Sequence, residues 1–178
     1  MSDLSALDAK TDYKKRECRA IIDTPKGRRN KFAYDRESGL FELRGLLPEG
    51  MSFPFDFGFI PSTICDDGDP LDIMVLMDEA AHVGCILDVR IIGAIQAEQT
   101  EDGKTERNDR LLGVAVHSYQ HEDVKSIDEV SPRLLEQVEA FFVQYNKLRG
   151  KKFKVTGRVG PNKAMGILKQ AAKEFEKH

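Results

Sequence analysis

The stretch Asp66-Asp67-Gly68-Asp69-Pro70-Leu71-Asp72 places four carboxylates within seven residues and runs directly into Ile73-Met74-Val75-Leu76-Met77, an apolar run that reads as a buried strand. Repelling charges therefore sit where a core begins. Carboxylates this close raise one another's pKa and resist joint ionisation unless a cation neutralises them. An all-oxygen donor set suits Mg²⁺, Mn²⁺ or Ca²⁺ better than zinc. Asp, Gly and Pro are also ordinary turn formers, so an exposed turn that needs no ligand is the competing reading. A calcium loop of EF-hand type fails on spacing: counted from Asp67, the sixth place, which must be Gly, is Asp72.

With 178 residues, 40% of them hydrophobic, the chain suits one compact domain spanning residues 1–178. A net charge of -3 with no strong block asymmetry argues against nucleic acid or an anionic membrane as partner. The cysteines, Cys18, Cys65 and Cys85, are odd in number and lack CxxC spacing, and no signal sequence opens the chain, so reduced thiols in a cytoplasm are expected. No apolar stretch approaches the roughly 20 residues of a membrane-spanning helix.

Residues 1–16 are polar and read as a short helix or a flexible arm with Leu4 and Leu7 as apolar handles. Cys18 to Asp23 predicts a first strand. Lys26, Arg28, Arg29 and Lys31 follow in a loop that is either solvated or a cradle for an anion such as phosphate. Residues 31–35 and 40–44 predict a hairpin across which Lys31 and Arg44 can approach each other. Met51 to Pro61 is aromatic but interrupted by Pro54, Gly58 and Pro61, which predicts an irregular segment rather than a central strand, with most of its Phe in the core. Cys85 to Ala97 reads as a long strand in which Gly93 marks a bulge or tight bend. Glu98 to Arg110 is a charged, hairpin-like loop, and residues 111–116 form another strand.

Ser131-Pro132 predicts a helix start, with Ser as cap, and Leu134, Leu135, Val138, Phe141, Phe142, Tyr145 and Leu148 recur at helical spacing until Gly150. A final strand over 151–156 and a helix over 161–177, with Ala164, Met165, Leu168, Ala172 and Phe175 as its stripe, complete the chain. Short strands first and helices last predict an α+β protein built on a closed or partly closed β-barrel.

The Asp67-Gly68-Asp69-Pro70-Leu71-Asp72 motif, the aromatic run before it, the upstream Pro25-Lys26-Gly27 to Lys31 segment, and Phe141-Phe142 with Tyr145 together resemble the family I soluble inorganic pyrophosphatases. The resemblance spans roughly residues 18–160. It implies an OB-like five-stranded barrel with flanking C-terminal helices, a homohexamer, and Mg²⁺-dependent hydrolysis of pyrophosphate to two phosphates, Mn²⁺ being a possible substitute. Asp67 and Asp72 match metal ligands of the family, and Asp69 matches the residue that positions and deprotonates the attacking water while sharing metal. Lys31, Arg44, Arg110 and Tyr145 match substrate-binding positions. Departures are Asp23 for the usual Glu, Ala33 for a metal-site Glu, Phe53 and Phe57 for Tyr, and Asn146 for a Lys, with Lys147 beside it as a substrate ligand. Asn108 stands at a metal-ligand Asp position, which a one-residue shift gives to Asp109. Those departures also define the alternative, a degenerate relative that binds phosphate or a phosphorylated ligand without turnover. The histidines, His82, His117, His121 and His178, fall outside the matched motifs.

Overall fold

The computed structural model describes residues 3–178. Nine strands are arranged as β1 (Glu17–Thr24), β2 (Asn30–Asp35), β3 (Leu40–Leu46), β4 (Asp56–Phe59), β5 (Asp72–Leu76), β6 (Ile86–Glu101), β7 (Lys104–Arg107), β8 (Arg110–Ala115) and β9 (Lys152–Val159). Two α-helices follow late in the chain, α1 (Pro132–Leu148) and α2 (Pro161–Phe175). Strands β1, β4, β5, β8 and β6 pair in that order, and β1 pairs with β6, so five strands close into a ring. This agrees with the α+β barrel that the strand pattern predicts and with the OB-like form with C-terminal helices that the resemblance implies. Strand β6 is long enough to serve on two levels: its first half pairs with β1, and its second half carries β9 and β7 outside the ring.

Strands β4, β5 and β8 are buried on both faces, which is why β5 reads as a continuous apolar run rather than an alternating one. Met74, Leu76, Leu112 and Val114 belong to one apolar cluster with Leu135, Val138 and Phe142 of α1. Ile73, Val75, Ile91 and Leu111 belong to a second with Ala164, Met165 and Leu168 of α2. The α2 stripe ends on Ala171, which is buried, rather than on Ala172, because the helix phase turns that next residue partly outward. Ser131 precedes α1 without a capping side-chain bond, so Pro132 at the first turn carries the start alone. Among the described residues no helix is long and apolar enough to cross a membrane.

Three local features depart from or sharpen the sequence reading. Residues 56–59 form a strand, β4, fully buried between β1 and β5, where an irregular segment was expected. The prolines flank this strand instead of interrupting it, so none of its ladder donors is lost. The arm before β1 is a single 3₁₀ turn at Leu4–Ala6, anchored by the Leu4 N–H donating to the Tyr34 hydroxyl at 3.0 Å and the Ser62 hydroxyl donating to the Leu7 carbonyl at 2.8 Å. The β6–β8 register shifts between Ile91 and Gly93, placing the expected bulge at Gly93.

Hairpin β2–β3 stands apart as a two-stranded sheet. It is tied to the ring at Thr24, whose hydroxyl accepts from the Phe32 N–H at 3.2 Å and donates to the Phe32 carbonyl at 3.3 Å.

Candidate active site

Strand register places the charged groups at one end of the ring. Asp72 opens β5 and Arg110 opens β8, and these two residues are direct partners in the parallel pairing of the strands. Asp23 lies at the bulge between Ile22 and Thr24, where β1 slips against β4. A bulge re-aims the side chain it carries, and Asp23 meets Lys31 from the hairpin: Lys31 Nζ donates to Asp23 Oδ1 at 2.8 Å and to Thr24 Oγ1 at 3.3 Å. Arg110 Nη2 stands 3.6 Å from Asp72 Oδ2.

Aromatic rings form the floor. Lys31 Nζ lies 4.7 Å from the centre of the Phe57 ring, and the Arg110 guanidinium lies 4.4 Å from Phe142 and 4.6 Å from Phe153. Phe57, which replaces an expected Tyr, thus offers a ring face to a cation instead of a hydroxyl to an anion. The edge of Tyr145 packs on Phe53, 5.6 Å between centres.

Burial sets the electrostatics. The Asp72 carboxyl is pushed up to about 6 by burial, with Arg110 and Lys31 pulling the other way and Asp23 and Asp67 adding to the rise. Burial likewise raises Asp23, against the pull of Lys31. Desolvation raises Asp67 even though its residue stands on the exposed crest of the loop; the Asp69 N–H opposes this, and the charges of Asp69 and Glu106 reinforce it. Arg110 is 5% exposed, and its buried Nε has no hydrogen-bond partner. Burial lowers its pKa, and Asp72 opposes that.

The acidic loop keeps its shape through its backbone. Cys65 N donates to the Asp69 carbonyl at 2.8 Å, Gly68 N to the Cys65 carbonyl at 2.9 Å, and Asp69 N to Asp67 Oδ1 at 3.1 Å. Gly68 takes φ +82°, a conformation that L side chains rarely adopt. The Cys65 thiol is raised far above its ordinary value by burial and by the surrounding carboxylates, so it remains a packed, protonated group.

A divalent cation fits the donor chemistry here. Asp67 and Asp72 are carboxylates whose mutual repulsion a cation would relieve, and all their donor atoms are oxygen. Among the described residues no three acidic, His or Cys side chains converge into a closed cage. Such an open set suits an ion that keeps several waters and takes further oxygens from a bound phosphate.

Several expected residues stand elsewhere. Arg44 is the extra residue of a bulge opposite Lys31, yet its guanidinium turns to Glu42 at 2.9 Å and Asp35 at 3.7 Å on the exposed hairpin, so the two cations are drawn to different carboxylates. Asn108 rather than Asp109 faces the site: its Oδ1 accepts from Arg110 Nη1 at 3.2 Å. Asp109 has both oxygens occupied, Oδ1 by the Ala97 N–H and Oδ2 by the Arg107 guanidinium. Lys147 is exposed two residues beyond Tyr145, and residues two apart on a helix do not face each other. Arg149, four residues beyond Tyr145, shares its face and donates to the Tyr145 hydroxyl at 3.0 Å. That i,i+4 spacing was the available signal, and the sequence reading passed over it.

Fold and site together define a five-stranded barrel protein with carboxylates and cations opposed at one end of the ring. The profile described as "Inorganic pyrophosphatase" matches residues 20–176. Similar sequences include inorganic pyrophosphatases of Geobacillus stearothermophilus and of Synechocystis, each 31% identical over 88% of this chain and at least 90% of the relative. The crystal structure of inorganic pyrophosphatase from Thermus thermophilus superposes with a TM-score of 0.90 at 28% identity, covering 98% of this chain and 99% of that one. The inorganic pyrophosphatase of Helicobacter pylori is similar to it with a TM-score of 0.86, at 28% identity, over 96% of this chain and 98% of that one. The chain belongs to the inorganic pyrophosphatase family.

Proposed function

We propose that this enzyme hydrolyses pyrophosphate to two phosphates with Mg²⁺, for which Mn²⁺ can substitute. The observation that carries the reading is Arg110: a nearly sealed guanidinium beside Asp72, with an unpartnered Nε, has donors to spare for a phosphate oxygen. Lys31 supplies the second cation, partly buried. Each is held by a carboxylate, so both are positioned and neutralised before the anion arrives, and each exchanges its carboxylate for phosphate oxygens on binding. Asp67 and Asp72, with Asp23 and Asp69 nearby, would hold Mg²⁺. When bound, the metal neutralises the charge of the anion and acidifies water. Asp69 takes the proton of the attacking water, and Tyr145 and Arg44 bind phosphate from the rim. Asp109 holds Arg107 and β6 in place.

The exposed Leu40, Leu43 and Leu46 of β3 offer an apolar surface for a homo-oligomer, a hexamer by resemblance, which sedimentation velocity measures. Three free thiols suit a cytoplasmic setting.

Phosphate release from pyrophosphate by the purified protein, with and without Mg²⁺, tests the proposal. Metal-dependent release is expected; binding of phosphate with no release under any divalent metal overturns turnover in favour of a binding-only protein. The proton competes with the metal at Asp72. The Asp72 carboxyl is raised in the folded chain, so what it contributes to metal-free stability is fully present below about 3.8 and lost as pH rises through about 6. Bound Mg²⁺ requires the ionised form. The Mg²⁺ concentration needed for half-maximal thermal stabilisation is therefore expected to rise about tenfold per pH unit below 6 and to level off above it. A flat profile from pH 5 to 8 refutes Asp72 as a ligand.

A further inference from the structure

Arg149 closes α1, where Gly150 at φ +75° turns the chain away. Its guanidinium donates to the Tyr145 hydroxyl at 3.0 Å and lies 5.2 Å from the centre of that ring. Among the described residues it makes no ion pair, and its residue is exposed, so its remaining donors face solvent at the rim of the site. The Tyr145 phenol also feels the guanidinium of Arg110 and, opposing it, the carboxylate of Asp23. Two guanidinium groups thus bear on one hydroxyl, the one carboxylate acting there, Asp23, is already paired with Lys31, and among the described residues Arg149 has no carboxylate of its own, a field that an anion would relieve.

The neighbouring candidates are already spent. Asn146 is buried, and its amide donates to the Phe142 carbonyl at 2.8 Å, one turn back along α1. Lys147 is exposed and, two residues beyond Tyr145, lies on a different face of the helix. Helix phase therefore leaves Arg149 as the cation of this turn that shares the tyrosine's face.

We propose that Arg149 is a substrate-binding residue, a bidentate ligand for the pyrophosphate oxygens beside Tyr145, and that it fills the place for which Asn146 and Lys147 are unsuited. The inference rests on the pyrophosphatase reading. A guanidinium in this position serves both a terminal phosphate of the substrate and the product phosphate, because it needs only two adjacent anionic oxygens.

The test compares Arg149→Ala, Arg149→Lys and Lys147→Ala. Arg149→Ala is expected to raise KM for pyrophosphate about ten- to hundredfold, the range for losing hydrogen bonds to a charged group, with kcat within a few-fold of the parent. Arg149→Lys recovers part of the loss as a point charge, and Lys147→Ala leaves both constants unchanged. A KM for Arg149→Ala within twofold of the parent overturns the proposal. So does loss of the effect in a Tyr145→Phe background, which would mean that Arg149 merely positions the phenol. Titration of inorganic phosphate into the Mg²⁺-loaded protein by calorimetry is independent of turnover. Weaker phosphate binding by Arg149→Ala supports the ligand role even if the parent releases no phosphate, whereas equal affinity refutes it.

Discussion

Asp69→Asn is expected to cut the turnover of pyrophosphate by about two to four orders of magnitude, the range attributable to a lost general base, while fold and metal affinity stay close to the parent's. The separation follows from how the loop is built. Asp69 contributes its N–H to Asp67 Oδ1 and its carbonyl to the Cys65 N–H, so backbone atoms of Asp69 hold the turn and its carboxylate is left for chemistry. Asparagine keeps the shape of the side chain and both backbone bonds but cannot take up the proton. Asp67→Asn is the informative partner, because its amide oxygen can still accept the Asp69 N–H while the metal-binding charge is lost; it should raise the Mg²⁺ requirement before it lowers kcat. Phosphate-release kinetics at saturating Mg²⁺, with thermal unfolding of each variant beside them, separate the two effects. Unchanged kcat for Asp69→Asn would remove it from the role of base.

How much of this was legible in the sequence depends on whether a feature is set locally or by register. The α1 stripe is local: Leu135, Val138, Phe142 and Tyr145 lie on one face because of helix period alone, and the structure buries all four. The acidic loop is local too, since Gly68 and Pro70 dictate its turn. The placement of Asp23 and Arg44 is not. Both stand at bulges, and a bulge is defined by which strand lies opposite, so no residue type at position 23 or 44 announces it. Arg44 was expected to join Lys31 and instead pairs with Glu42 along its own strand. Strand β4 was misread for a related reason: Pro54 and Pro61 were counted against a segment whose four ladder residues lie wholly between them. Lys147 and Arg149 differ in helix phase, which is local, and the latter stands at i,i+4 to Tyr145.

The resemblance implied an acid-poor site, and the geometry gives the departures a physical sense. With Phe at 57, the ring that would have offered a hydroxyl instead lies under Lys31 at 4.7 Å and Arg110 at 5.8 Å. Cation–π attraction helps retain two cations where fewer carboxylates are available to balance them. Asn108 likewise gives up a charge but keeps an acceptor for Arg110. Rings and a neutral amide thus accompany Lys31 and Arg110 at positions where the resemblance implies hydroxyls and a carboxylate.

Gly58→Ala is expected to prevent the barrel from closing. Gly58 lies in the middle of β4, opposite Ile22 of β1, where the two backbones approach so closely that an added Cβ would sit 1.9 Å from the Ile21 carbonyl oxygen and 2.9 Å from the Ile22 Cα. Both obstacles are backbone atoms of a strand that is itself paired with β6 on its other edge, so relief requires β1 or β4 to leave the ring. The cost should exceed about 4 kcal/mol, a large fraction of the roughly 5–15 kcal/mol that keeps a domain folded. Asp23 and Thr24 lie immediately beyond the clash on β1, so any variant that does fold should also lose the Lys31 pairing and with it catalytic activity. Gly166→Ala provides the contrast. It lies inside α2 with nothing within 4 Å of the added Cβ, and replacing a helical Gly there should stabilise by about 0.5–1 kcal/mol. Urea unfolding midpoints of the two variants and the parent, together with the soluble yield of Gly58→Ala, decide the matter. A Gly58→Ala protein that unfolds at the parent's midpoint would mean that β1 and β4 do not meet at this register, and the placement of Asp23 at the mouth of the ring would fall with it.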